Sequence, residues 1–371
     1  MTQNPPAAAA FGLDAANVAK DAGVGAEPNT EMVVMDGSMG RWCIMKGVPQ
    51  DDFLWAGRSI VDERHHPIVV EAHMEYIQAG AKTITTNNYV VQPNYYRRAF
   101  PGDWEARIRK DLATAAKLAV EARARCNAQS SVRILGCLPP ISETHRPDLF
   151  EEFIDREGEE RCIEYYRTAA KILLDGGVDA ILGETMNGTR EAQLVVDAVR
   201  DLPAPLLISI NGALRSVDLR PQPWLAPQVA EWAFSVKASG AKLEMLGFNC
   251  AAPEHLMEAL KAVEASGWTQ RLRAAGVKLG VWANCGEREQ FEDQKGWDVR
   301  TAGPLRVRAE LRDSGFVDWC HRFTSAGATF CGGCCGSTPN EIRRLTESLK
   351  YGPCEGESPT KRHCGGGAQS P

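Results

Sequence analysis

No run in this 371-residue chain approaches the roughly 20 consecutive apolar residues that a membrane-spanning helix requires. Basic residues are outnumbered, 42 against 48 acidic, for a net charge of −6. With no cationic excess to release counterions from a phosphate backbone, the balance speaks against nucleic acid as a partner, and nothing suggests a membrane. No secretory leader is expected either. The N-terminus has no basic segment, and its alanine run (Ala7–Ala10) is soon broken by Asp14 and Lys20, so the chain reads as cytoplasmic. The residue present in unusual number is cysteine, at twelve copies. These are too dilute for a disulfide scaffold. In a reducing compartment each is a buried thiol, a catalytic group or a metal ligand.

Composition divides the chain into three parts. Residues 1–30, rich in Ala, Asn, Pro and Gly, read as a flexible leader. Residues 352–371, with Gly365-Gly366-Gly367, read as a disordered tail. Across 31–351, short apolar runs alternate with helical patterns. The runs predict buried strands at Met32–Asp36, Thr83–Thr86, Val132–Cys137, Ala180–Gly183, Leu206–Ile210, Met245–Cys250, Lys278–Ala283 and Ala328–Cys331. Helices are expected over Pro67–Gly80, Trp104–Cys126, Glu159–Gly176, Thr189–Leu202, Pro227–Gly240, Pro253–Ser266, Phe316–Gly327 and Asn340–Tyr351. Gly80, Gly176, Gly240, Gly267 and Gly327 stand as helix stops, and Thr338-Pro339-Asn340-Glu341 as a capping box. Eight such units predict an α/β protein, a single (β/α)8 barrel. An open doubly wound sheet is the weaker layout, because Gly37-Ser38-Met39-Gly40 lacks the glycine spacing of a dinucleotide turn.

Barrels place chemistry at the carboxyl ends of their strands. Here those ends carry Asp36-Gly37, Asn87-Asn88-Tyr89, Gly136-Cys137, Gly183-Glu184-Thr185, Asn249-Cys250, Asn284-Cys285-Gly286-Glu287 and Gly332-Gly333-Cys334-Cys335-Gly336. Adjacent side chains on a regular strand point to opposite faces, so Cys334 and Cys335 could share a site only if the backbone turns. Gly332, Gly333 and Gly336 allow that turn through positive φ. A third thiolate, Cys250, would complete a three-sulfur zinc site with one open position. Cys331, inside its strand, reads as a packed thiol despite its Cys-x-x-Cys spacing with Cys334. Cys43, Cys126, Cys162 and Cys320 read as core, Cys137 and Cys285 as packing near the site, and Cys354 and Cys364 as free. His65, His66, His73, His255 and His321 fall in or beside helices and read as structural. Asp36 and Glu184 are candidates to hold a substrate ammonium, against the plainer reading of an N-cap or a buried ion pair. Glu287 is balanced between a site role and none.

Taken together, these motifs resemble the homocysteine S-methyltransferase family over residues 31–350, through Asp36-Gly37-Ser38-Met39-Gly40, Thr85-Thr86-Asn87-Asn88-Tyr89, Gly183-Glu184-Thr185, Gly247-Phe248-Asn249-Cys250, Asn284-Cys285-Gly286-Glu287 and Gly332-Gly333-Cys334-Cys335-Gly336-Ser337-Thr338-Pro339. The resemblance implies a zinc-containing barrel that moves a methyl group onto the homocysteine thiol and makes methionine. Cys250, Cys334 and Cys335 would bind Zn2+, while Asp36, with Gly37 beside it, and Glu184 would contact the amino-acid end of homocysteine. The onium donor calls for aromatic faces, with Tyr89 best placed and Trp42, Trp55, Phe291 and Trp297 behind it. Asn88, where the betaine-using branch has an aromatic, favours S-methylmethionine or S-adenosylmethionine over betaine or another onium. Cys285 leaves room for a different acceptor, such as a selenol like selenocysteine. The competing readings are a non-catalytic zinc barrel closed by Cys331 or Cys285, and a thiol redox protein using Cys334 or Cys331. Oligomeric state stays open.

Overall fold

The computed structural model describes residues 32–50, 54–216, 220–287 and 305–351. The expected leader and tail, with Cys354 and Cys364, lie outside these residues, as do Phe291 and Trp297. Eight strands form one sheet: β1 (Val33–Val34), β2 (Thr83–Thr85), β3 (Arg133–Leu138), β4 (Ala180–Met186), β5 (Leu206–Asn211), β6 (Leu243–Asn249), β7 (Lys278–Ala283) and β8 (Phe330–Gly333). Their order is β1-β8-β7-β6-β5-β4-β3-β2, and every neighbouring pair is parallel. The two end strands meet through the parallel bridge Met35–Thr83, with Lys82 N donating to Val34 O (2.7 Å) and Asp36 N to Thr83 O (3.0 Å). The sheet therefore curls into a nearly closed (β/α)8 barrel.

All eight expected helices are present, at His66–Gln78, Trp104–Arg125, Glu159–Asp175, Thr189–Val199, Ala226–Ala238, Pro253–Ala265, Ser314–Ser325 and Pro339–Tyr351. Five further helices among the described residues are not expected: Met39–Met45, Arg58–Val61, Pro93–Ala99 and Trp268–Ala274 are too short to show a period, whereas Pro147–Glu157, with 11 residues, is as long as the expected Thr189–Val199 and is missed. The capping box forms as expected. Thr338 Oγ1 accepts from Asn340 N (3.2 Å), and Glu341 Oε2 accepts from Thr338 N (2.9 Å). Of the five glycine stops, Gly80, Gly240, Gly267 and Gly327 take positive φ. Gly176 does not (φ −74°); its neighbour Gly177 (φ +97°) makes that turn instead.

A strand buried on both faces needs apolar side chains at every position, and the alternation then sorts them into two cores. Outward residues such as Ile134, Ile181, Ile208, Leu246 and Val281 pack under the helices. Inward residues Met35, Leu135, Ala180, Leu182, Leu207, Met245, Trp282 and Phe330 fill the barrel itself. Gly247 makes room inside: a Cβ there would lie 2.8 Å from the Trp282 ring. Following the same inward parity upward leads to Thr85, Cys137, Glu184, Asn211, Asn249, Asn284 and Cys334, which are the residues of the mouth.

Candidate active site

Cys334 keeps the inward register of β8, its N–H donating to Ala283 O (2.9 Å). The chain then turns at once. Ser337 N (3.1 Å) and Ser337 Oγ (2.8 Å) both donate to Cys334 O, and Gly336, third residue of this four-residue turn, has φ +88°. Positive φ at the third position is the mark of a type II turn, and it swings Cys335 back towards the face that Cys334 occupies. Only Gly336 uses the left-handed region. Gly332 and Gly333 are extended, contrary to expectation, and are required for closeness instead. A Cβ on Gly333 would sit 2.0 Å from Ser337 Oγ, and one on Gly332 2.8 Å from Asp36 O.

Cys250 follows β6 in a left-handed conformation unusual for a non-glycine residue (φ +53°), its N–H bonded to Trp282 O (3.1 Å). The Sγ atoms of Cys250, Cys334 and Cys335 all lie within 4.8 Å of one another. Three thiolates bound to one zinc, each about 2.3 Å from the ion, would stand roughly 3.8 Å apart, so the donor set suits a sulfur-liking metal without rearrangement of the fold. Hydrogen bonds from Cys250 and Cys334 hold the Cys335 thiol well below the usual range, against the opposing effect of burial, and Arg41 favours its charge further. Asn284 Oδ1 braces the group, accepting from Cys335 N (3.2 Å) and facing Cys250 Sγ at 3.6 Å.

Two carboxylates complete a cavity of about 140 Å³ over the thiols. Asp36, 5% exposed, accepts from Thr85 N (2.7 Å). Burial raises its pKa well above the carboxylate norm, partly offset by that bond and reinforced by the charge of Glu184. Burial raises Glu184 too, opposed by hydrogen bonds from Cys137 and Trp282, with Cys137 Sγ 3.1 Å from Oε2. Gly37, Tyr89 and Trp55 also line the cavity, and the Tyr89 hydroxyl pairs with Thr144 Oγ1 (2.8 Å).

Other candidates lie elsewhere. Trp42 faces a separate groove, its indole N–H bonded to Glu75. Glu287 pairs with Arg306 (2.5 Å). Cys331 points outward, with Cys320 O at 3.9 Å and Thr324 Oγ1 at 3.8 Å, and Cys285 is buried with its pKa pushed up to about 12; neither belongs to the thiol cluster. Two residues of the mouth are not marked by any of the sequence motifs: His145, whose Nε2 lies 3.5 Å from Cys250 Sγ, and Asn211, which bonds its other nitrogen. The inward parity of β5 points to Asn211. His145 carries no periodic signal.

The family model for homocysteine S-methyltransferase matches residues 33–349, nearly the whole barrel. The chain belongs to the homocysteine S-methyltransferase family. It is therefore an enzyme, an S-methyltransferase. Relatives include homocysteine S-methyltransferase 3 of Zea mays, 23% identical over 86% of this chain and 90% of that protein. Homocysteine S-methyltransferase YbgG of Bacillus subtilis is 24% identical over 85% of this chain and 93% of that protein. The metallated form of the homocysteine methyltransferase MmuM from Escherichia coli superposes with a TM-score of 0.59 at 21% identity, covering 85% of this chain and 96% of that one. At such identities this structural likeness speaks for the fold, and the site residues must be argued on their own chemistry.

Proposed function

We propose that this S-methyltransferase moves a methyl group from a small onium donor to the thiol of L-homocysteine, giving methionine, with Zn2+ held by Cys250, Cys334 and Cys335. One observation carries the reading. Three thiols and two carboxylates share a small buried cavity, acidic groups whose ionised forms are costly there until a divalent cation and an ammonium group neutralise them. An all-sulfur donor set suits zinc and suits magnesium or calcium poorly. When bound there, zinc would keep the acceptor sulfur as thiolate at neutral pH, where a free thiol with a pKa about 8.5 is mostly protonated.

The chain's own residues supply positioning. Asp36 and Glu184 would grip the homocysteine ammonium, and Cys137 and Trp282 aim the Glu184 carboxylate. Tyr89 and Trp55 offer aromatic faces to the donor cation. Asn88 offers none, its amide turned onto Cys137 O (2.8 Å), which supports a sulfonium such as S-methylmethionine or S-adenosylmethionine over betaine. In the transfer, a lone pair of the homocysteine sulfur forms the new S–CH3 bond as the methyl–onium bond breaks. The electron pair leaves on the donor as a neutral thioether, and the acceptor's thiol proton has gone to solvent. Holding the two reactants in line within a small buried cavity supplies much of the acceleration. Cys331 and Cys285 lie apart from the cluster, which supports a fourth position left to substrate rather than a closed structural site. Among the described residues no helix is long and apolar enough to cross a membrane, in keeping with a cytoplasmic enzyme.

The test is to measure zinc in the purified protein and methionine formation from homocysteine with S-methylmethionine, S-adenosylmethionine and betaine in turn. About one zinc per chain and turnover with a sulfonium are expected. Absence of methionine with every donor overturns the reading.

A further inference from the structure

A zinc site built from thiolates has a hazard of its own, because each cysteine ligand is also a nucleophile towards an onium methyl group. The surroundings of Cys250 address it. The loop after β3 crosses the mouth and places His145 in a left-handed conformation (φ +63°) that the neighbouring chain enforces. Asn187 clamps both sides of that residue: its Nδ2 donates to Glu143 O (3.1 Å), and its Oδ1 accepts from Arg146 N (3.0 Å). Asn187 is itself fixed by the buried Glu191, through its backbone N (2.9 Å) and its Nδ2 (3.0 Å).

The ring is oriented with equal definition. Asn211 Oδ1 accepts from Ala213 N (3.1 Å), so the amide nitrogen of Asn211 faces His145 Nδ1 and donates to it. An imidazole that accepts at Nδ1 carries its hydrogen on Nε2. That N–H points at Cys250 Sγ, 3.5 Å away. Asn284 Oδ1, 3.6 Å from the same sulfur, is an acceptor that suits a thiol and gives nothing to a thiolate.

We propose that His145 is a positioning residue whose Nε2–H donates to the Cys250 sulfur, keeping that sulfur a ligand rather than a methyl acceptor. The idea rests on the zinc and onium chemistry proposed above. A hydrogen bond to a thiolate withdraws charge from it and occupies the lone pair that would attack. In the unwanted reaction, a Cys250 lone pair forms S–CH3 while the donor's C–S bond breaks and its electrons leave with a neutral thioether. Cys250 would then be a weak thioether ligand.

Two measurements on the whole protein test this. Cobalt(II) is loaded in place of zinc without any substrate, and the thiolate-to-cobalt absorption is recorded for wild type, H145F, H145L and H145Q. The two variants lacking a donor should move the band to lower energy, and Gln, which keeps an N–H, should restore it. Each zinc-loaded protein is then exposed to trimethylsulfonium without homocysteine, and methylation of Cys250 is read by peptide mass spectrometry. Loss of the donor should speed it about tenfold, the rate equivalent of one net hydrogen bond. An unmoved cobalt band, or equal methylation in wild type, H145F and H145L, overturns the proposal. Because the cobalt band needs no methyl donor, it decides the His145 contact even if homocysteine proves not to be the acceptor.

Discussion

The floor of the barrel and its mouth are built by the same strands with the same two-residue alternation, yet they hold opposite side chains. On β4, Ala180 and Leu182 point into an apolar floor, and Glu184, two residues on, points into the mouth. On β8 the inward series runs Phe330, Gly332, Cys334, and on β7 it runs Gly280, Trp282, Asn284. The floor is held by transfer of apolar surface, which is undirected and tolerant of shape. At the mouth every buried polar group needs a partner, and this makes it specific. A single inward step of about 7 Å along a strand separates stability from chemistry.

Substitutions should divide along that line. The largest effect is expected from Cys250→Ser or Cys334→Ser, which should release the metal and lower turnover more than about 100-fold, beyond the usual cost of altering an outer-shell partner. Cys320→Ser, in the helix layer, should retain both. Zinc retained at full stoichiometry by both mouth variants would sink the ligand assignment. On the floor, Leu207→Ala should cost about 3 kcal/mol of unfolding free energy through the cavity it leaves, read by denaturant titration. Metal content should not change; if it does, floor and mouth are one unit.

Glu184→Gln comes next. It keeps the shape and removes the charge proposed to meet an ammonium, so KM for homocysteine should rise about 10- to 100-fold, the value of a charge-assisted hydrogen bond, while zinc stays bound. An unchanged KM would return Glu184 to a structural role.

The smallest effect lies in the helix layer. His73 is fully buried, neither ring nitrogen has a partner among the described residues, and burial lowers its pKa to about 3. Unfolded histidine titrates near pH 6.5. Between those values the unfolded chain binds the extra proton, so the stability this residue contributes is complete above about pH 6.5 and falls on acidification by about 1.4 kcal/mol per pH unit. His73→Leu should flatten that slope relative to wild type in melts at pH 7 and 5.5. Parallel slopes would show that the ring gains a proton in the fold.

Much of the division between floor and mouth is legible in the amino-acid sequence. Short apolar runs, most of them carrying β-branched residues, locate all eight strands to within a few residues, and adjacent cysteines flanked by glycines mark the thiol turn. Conformational freedom accounts for only one of those glycines, Gly336. Gly332 and Gly333 are needed because Met35, Asp36 and Ser337 crowd them, a tertiary fact with no local signal. His145 is hidden for the same kind of reason. Nothing in Thr144-His145-Arg146 sets it apart. Its place depends on Asn187 and Asn211, more than 40 residues downstream.

One detail of the closure bears on how the enzyme would respond to its ligand. β1 has two residues and meets β2 at a single bridge, so part of that seam is sewn by a side chain, Asp36 Oδ2 accepting from Thr85 N. The carboxylate proposed to receive an ammonium is thus also a stitch in the barrel wall. A bound amino acid and an intact seam would reinforce each other, and the stave between β1 and β2 is where the empty enzyme should breathe most.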